Sequence, residues 1–266
     1  MVVKFLFFVA MMLLVLGCKM GTDSKEMITT PPTLFKGALI PLYAYPTGPQ
    51  WKALLDINTT VEIITIVNPN NGPAECNTTI SQDYQVGISQ LKGNSIKAIG
   101  YVHTLYAARP VEEVKADIAR YRECYSSLDG IFVDETNASS QSALYYQELR
   151  SFIKEGNVSQ KVVLNTGTYP DEEIVRISDI TVIYEKKGIA YDSLTPPEYI
   201  TRYPSEKFAL LGYGVPQTAV TSQKLQKLNS FKVGYVYLTN DNTNNPWDTL
   251  TSYYASLMEM LSSKLL

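Results

Sequence analysis

The stretch "GIFVDET", Gly130 to Thr136, decides how this chain is read. Four residues suited to a buried strand lead straight into two adjacent carboxylates. Asp and Glu are seldom buried without a partner, so a strand that ends in both points out of the core. The same kind of run recurs along the sequence: "ALIPLYAY", "VEIITIVN" and "IKAIGYVHT" precede it, and "KVVLNTG", "ITVIYE", "FALLGYG" and "KVGYVYLTN" follow. These runs are near-continuous in apolar residues, as strands covered on both faces are. Helical or mixed segments separate them, around Trp51–Leu55, Asp83–Leu91, Val111–Tyr125, Ser142–Lys154, Glu172–Ile177, Pro196–Arg202, Thr218–Leu228 and Trp247–Leu265. Pro110 and Thr218 mark helix starts. Eight strands alternating with eight helical segments predict a single (β/α)8 barrel over residues 37–266. A doubly wound open sheet would show the same alternation, but no Gly-rich phosphate loop follows the first strand.

The strand ends carry the polar groups. Asn68 ends the second, His103 the third, Asp134 and Glu135 the fourth. Asn165 ends the fifth, Glu185 the sixth, Tyr213 the seventh, and Asn240 with Asp241 the eighth. In a barrel these ends form one face, where active sites sit. Neighbouring strand residues point to opposite faces. Asp134 and Glu135 therefore both reach a pocket only if the strand is already turning; otherwise one acid supports the other.

Bulk composition narrows the chemistry. The chain has 266 residues, 45% of them hydrophobic, and a net charge of −3 with acids and bases mixed along it. That supports a substantial core and offers no basic footprint for nucleic acid. Tyrosines number 19 against 8 Phe and 2 Trp, a balance that suits a wet, polar groove. There is one His, His103, and no CxxC, HExxH, G-x-S-x-G or P-loop spacing. A His-rich metal site and a serine-hydrolase elbow are thereby excluded. No cofactor and no metal is expected, although a carboxylate-metal hydrolase stays open as a lesser reading. Carboxylate chemistry remains, carried by Asp134, Glu135 and Glu185. Glycoside hydrolysis needs two such groups flanking the scissile bond, one of them protonated.

The N-terminus reads as a targeting segment. Lys4 precedes the apolar run "FLFFVAMMLLVL", too short for a spanning helix and laid out as a secretory signal over residues 1–17. "VLGC", Val15 to Cys18, resembles a bacterial lipobox, so Cys18 is a candidate lipidation site at the head of a flexible tether, residues 18–36. An ordinary cleaved signal is the alternative. Either way the protein is expected to be exported, and to meet a membrane only through that anchor. Four Asn-x-Ser/Thr sequons, at Asn58, Asn77, Asn137 and Asn157, weigh weakly toward a eukaryotic setting.

Export makes a disulfide between Cys76 and Cys124 the default. The barrel argues otherwise. Cys76 follows the second strand at the C-terminal face, and Cys124 ends a helix of about 14 residues that has run some 20 Å back to the other end. A disulfide needs Cα atoms within about 7 Å, so two separate thiols are expected.

The sequence also resembles the spherulation-specific (spherulin-4-like) family of secreted glycoside hydrolases. The resemblance rests on "IPLYAYP" (40–46) with Trp51, "IVNPNNGP" (66–73), "GYVHTLYAARP" (100–110), "DGIFVDE" (129–135), "VVLNTGT" (162–168) and "VIYE" (182–185), in that order. It implies a (β/α)8 fold and cleavage of an exopolysaccharide rich in α-1,4-linked N-acetylgalactosamine. It further implies that the Asp-Glu pair after strand four and a Glu after strand six are essential, which here are Asp134, Glu135 and Glu185. Asn68, Tyr101, His103 and Asn165 fall in the matching motifs as pocket lining. Tyr43, Tyr184, Tyr213 and Tyr237 are candidate sugar platforms, with Asn240 and Asp241 at the last strand end as further substrate contacts. The expected activity is an endo-glycosidase acting on galactosamine-containing polysaccharide. The alternative is a carbohydrate-binding surface protein without catalysis.

Overall fold

In the computed structural model, residues 35–189, 191 and 194–263 are described. The expected signal segment, Cys18 and the tether up to residue 34 lie outside them. Eight parallel strands close into a barrel in sequence order, β1 to β8. They are β1 Gly37–Leu42, β2 Glu62–Val67, β3 Lys97–His103, β4 Gly130–Asp134, β5 Lys161–Asn165, β6 Ile180–Lys187, β7 Phe208–Tyr213 and β8 Tyr235–Leu238. Closure rests on the pairing of Gly37 with Tyr235. Strand interiors are almost wholly buried, as the continuous apolar runs predict for strands packed inside and out.

Among the described residues seven α-helices cover the outside: α1 Pro49–Leu55, α2 Thr79–Gly93, α3 Val111–Cys124, α4 Ala143–Gly156, α5 Glu172–Ile177, α6 Ser222–Ser230 and α7 Tyr254–Ser262. Capping explains several starts. Thr78 and Ser81 form a reciprocal capping box at α2, and Pro110 precedes α3. The cap of α6 is Thr221 and not Thr218. Between β6 and β7 the expected helix is only a 3-10 turn, Glu198–Arg202. Pro196 and Pro197 precede it and Pro204 follows; the residue before a proline is forced out of helical geometry, so too few residues remain for an α-helix. The last helix begins at Tyr254 rather than Trp247, because Asn240 Oδ1 holds the Thr251 and Ser252 groups in a loop.

The expectation of two free thiols fails. Cys76 and Cys124 form a disulfide with Cα atoms 5.3 Å apart. The chain leaving β2 does not stay at the C-terminal face. It descends the outside of α3: Glu75 pairs with Arg120 at 3.2 Å, and Ala74 lies beside the Cys124 sulfur. Helix α2 therefore starts low, with Gln85 already bonded to the Cys124 carbonyl at 2.8 Å. Helix α3 has the expected 14 residues; the path of the loop beside it is what brings the cysteines together.

Candidate active site

Side chains of β3 and β4 set the floor of the site. Alternate strand residues share a face, so Phe132 and Asp134 point together. Phe132 stacks on Tyr101 with ring centroids 6.2 Å apart. The Tyr101 hydroxyl donates to Asp134 Oδ2 at 2.9 Å. Tyr43 meets the Tyr101 ring edge-on at 5.6 Å, and burial, with the nearby Asp134 charge, holds its phenol well above the ordinary value.

Strand β4 stops at Asp134, and Glu135 adopts φ +52°. This left-handed conformation costs a non-glycine residue about 1–2 kcal/mol. It is how two consecutive acids reach one cavity: the strand has already turned. Glu135 Oε2 accepts the Leu105 N–H at 3.1 Å and lies 3.6 Å from His103 Nδ1. The partner segment is itself left-handed, with φ +49°, +56° and +69° at Leu105, Tyr106 and Ala107. None is glycine or asparagine, so each adds a cost of the same order. The turn is tied to the acid it serves: Tyr106 N–H donates to the Glu135 carbonyl at 2.8 Å, and Asn137 Nδ2 donates to the Tyr106 carbonyl at 3.2 Å.

Glu185 arrives by a different device. Strand β6 shifts register against β7 between Val182 and Tyr184, a bulge of the kind that re-aims a side chain near a site. Asn165, at the end of β5 between the two acid-bearing strands, joins them. Its Nδ2 donates to Asp134 Oδ1 at 2.7 Å and also to Glu185 Oε2. Gly167, at φ +61°, sends its N–H back to Asn165 Oδ1 at 3.1 Å, which leaves the amide nitrogen facing the acids. Since one nitrogen serves both carboxyls, the two bonded oxygens lie within about 6 Å, the reach of two hydrogen bonds.

Asp134, Glu135, Glu185 and Asn165 open into one cavity of about 290 Å³, bordered by Tyr106 and Tyr213. Among the described residues neither Asp134 nor Glu185 has a cationic partner. Burial pushes Glu185 up to about 7, the Asp134 charge adds to this, and hydrogen bonds from Asn165 and Trp247 oppose it. Burial raises Asp134 as well, against hydrogen bonds from the Glu135 backbone, Tyr101 and Asn165. Two acids that repel, with little solvent to screen them, hold a proton near neutrality. No cluster of three or more His, Cys, Asp or Glu suited to a metal ion occurs among the described residues.

A sequence model described as spherulation-specific family 4 matches residues 37–261. The chain belongs to this family. Spherulin-4 of Physarum polycephalum is 33% identical over 224 residues, which is 81% of this chain and 67% of that protein. Among solved structures, Sph3 of Aspergillus clavatus, crystallised in complex with GalNAc, superposes with a TM-score of 0.73 at 21% identity, covering 87% of this chain and all of that one. The glycoside hydrolase domain of PelA from Pseudomonas aeruginosa gives a TM-score of 0.50 at 12% identity, covering 80% and 96%. At these identities the structures show a shared barrel.

In this member of spherulation-specific family 4, the expected site residues divide. Asp134, Glu135, Glu185, Asn165 and Tyr213 line the cavity, Tyr43 and Tyr101 lie against its acids, and His103 flanks Glu135. The others are elsewhere. Asn68 Oδ1 accepts the Gly72 N–H at 2.9 Å and shapes its own loop. Tyr237 is fully buried and accepts the Thr251 N–H at 3.0 Å. Tyr184 borders a neighbouring cavity with Lys186 and bonds the Gly188 carbonyl at 3.2 Å. Asn240 caps the Thr251–Ser252 segment, and Asp241 takes the Thr243 N–H and the Thr249 hydroxyl, which pull its carboxyl down. A strand-end position was no guide once the loop beyond folded back on itself.

Trp247 is the residue that sequence reasoning passed over. Placed in a helix by its periodicity, it lies instead in the loop after β8, with its side chain near enough to Glu185 to help lower that carboxyl's value and edge-on to Tyr213 at 5.9 Å. The "NNPW" setting was the available signal: asparagines and a proline before a tryptophan read as a loop at the C-terminal face.

Proposed function

We propose that the protein is an exported endo-glycosidase that cleaves polysaccharide containing galactosamine or N-acetylgalactosamine, with Asp134, Glu135 and Glu185 as its working acids. The observation that carries this reading is the Asp134–Asn165–Glu185 bridge, which holds two uncompensated carboxyls at close range with Glu185 near 7. Glu185, protonated at and below neutrality, donates to the glycosidic oxygen as the bond to the anomeric carbon breaks. Asp134 attacks that carbon from the other face or positions the substrate's acetamido group to do so. Water then releases the sugar, and Glu185 takes up its proton. The spacing supports retention, since inversion leaves about 6.5–9.5 Å for a water between the acids. Glu135, fixed by Leu105 and His103, orients the sugar in the same cavity.

Sph3, the structural relative solved with GalNAc, supports an amino-sugar substrate. Export draws support from the Cys76–Cys124 disulfide, a bond that persists in oxidising compartments. Residues 1–17 as signal and Cys18 as anchor complete this proposal.

The test compares purified protein with Glu185→Gln on galactosaminogalactan and on its partly deacetylated form, reading released oligosaccharides by mass spectrometry. Oligomers from the first and none from the second are expected, with chelator making no difference. Binding without release by the unaltered protein would replace hydrolysis with carbohydrate binding.

A further inference from the structure

We infer that Tyr106 is a sugar platform on one flank of the acid cavity, paired with Tyr213 on the other, so that the polysaccharide lies across the acids between two rings. This rests on the carbohydrate reading of the site above. Three observations carry it. Tyr106 borders the same cavity as Asp134, Glu135 and Glu185, yet the residue is 63% exposed and its side chain makes no hydrogen bond or ring contact among the described residues. Next, the residues bordering the cavity follow the strand order: Tyr106 after β3, the acids and Asn165 on β4 to β6, and Tyr213 at the end of β7. Strands three and seven lie opposite each other in a closed ring of eight, which puts the two tyrosines at the ends of an arc with the acids between them.

The backbone supplies the third. Leu105, Tyr106 and Ala107 all occupy the left-handed region. A turn required only to deliver the Leu105 N–H to Glu135 would be built more cheaply with glycine. The chain instead holds a tyrosine there, against backbone strain, locked by its N–H on the Glu135 carbonyl and its carbonyl on Asn137. Strain kept at a site beside working groups points to the side chain it presents. An exposed phenol ring on a backbone held at both its N–H and its carbonyl offers a flat apolar face to the C–H face of a pyranose while its hydroxyl stays wet. Such a platform acts on chain binding more than on bond breaking, and rings on both flanks favour internal cleavage.

The test uses Tyr106→Gly, Tyr106→Phe and the unaltered protein on galactosaminogalactan. Glycine adopts the left-handed turn most readily, so a purely structural role predicts a normal KM for Tyr106→Gly. The platform predicts a KM raised about tenfold, a smaller change in kcat, and rescue by phenylalanine, which keeps the ring. A normal KM in Tyr106→Gly, or a phenylalanine variant as impaired as glycine, overturns the inference. Binding of the same polymer to Glu185→Gln with and without Tyr106→Gly, read by calorimetry, separates the two readings. If the unaltered protein cleaves nothing but the glycine change weakens binding, hydrolysis falls and the platform stands. Equal binding with and without the ring removes the platform whatever the activity.

Discussion

The two ends of the barrel handle the same side chains in opposite ways. At the N-terminal end of the strands, Glu62 bonds Lys97 and the Tyr235 hydroxyl, with Lys36 at 3.7 Å. Asp179 there bonds Lys154 at 2.6 Å and Arg150 at 3.2 Å. Burial alone would raise both, but these partners pull them below the usual carboxylate range. At the C-terminal end Asp134 and Glu185 have Tyr101, Asn165 and Trp247 for company and no cation among the described residues, and both are raised. A buried carboxylate with a cation serves the fold; without one its proton affinity rises, which fits it for acid–base chemistry. The difference makes each end answerable to a different measurement.

The largest effect belongs to the C-terminal end. Glu185→Gln is expected to lower kcat by about 10³ or more, within the range for a lost general acid, while Asp179→Asn leaves kcat nearly unchanged. Steady-state rates on the same polymer decide it; equal losses would erase the division. Activity of the unaltered protein should also decline as pH rises through about 7, where Glu185 loses its proton.

Stability should follow the reverse order. The disulfide closes a stretch of 48 residues, so replacing both Cys76 and Cys124 with Ser is expected to cost about 2–4 kcal/mol, with kcat retained. Urea midpoints with and without reductant measure this; an unchanged midpoint would remove the disulfide from the fold's support.

Asp179→Asn comes next. Its carboxyl is about four-fifths buried between two cations, so its loss should cost roughly 1–3 kcal/mol at pH 7, less than a fully buried pair because water still screens it. The folded value is depressed, so this stability is present above the unfolded value near 4 and is lost as pH falls through the lower folded one. The variant and the unaltered protein should converge once pH falls below that depressed folded value.

The last effect has the opposite sign. Glu185 is raised, so its contribution is full below the unfolded value near 4.5 and lost as pH rises through about 7. Glu185→Gln should therefore be more stable than the unaltered protein at pH 8.5 and equal to it at pH 4. Thermal melts at both values test the sign. Destabilisation at pH 8.5 would mean that the glutamate is held by a favourable partner after all.

The legibility of the chain follows the reach of its signals. Strand runs such as "GIFVDE" and "FALLGYG" were readable because a strand packed on both faces writes its burial into consecutive residues. The alternation of elements predicts a helix where the structure has a 3-10 turn at Glu198–Arg202; the prolines on either side are the local signal that prevails. Tyr184 and Tyr237 look like Tyr213 in sequence; only packing decides that one meets the acid cavity, one a neighbouring cavity and one the core.

By itself the sequence determined that eight strand-and-helix units make a barrel, and that Asp134, Glu135 and Glu185 leave it at the same face. Parallel strands with helical returns admit no other arrangement of their ends. Only the tertiary structure decided that one Asn165 nitrogen joins Asp134 to Glu185, that a strained turn at Leu105–Ala107 grips Glu135, and that the loop after β2 descends to bring Cys76 to Cys124. Those are contacts across 20 to 48 residues of intervening chain, set by the paths of loops. Loop paths carry no periodicity for a sequence to display.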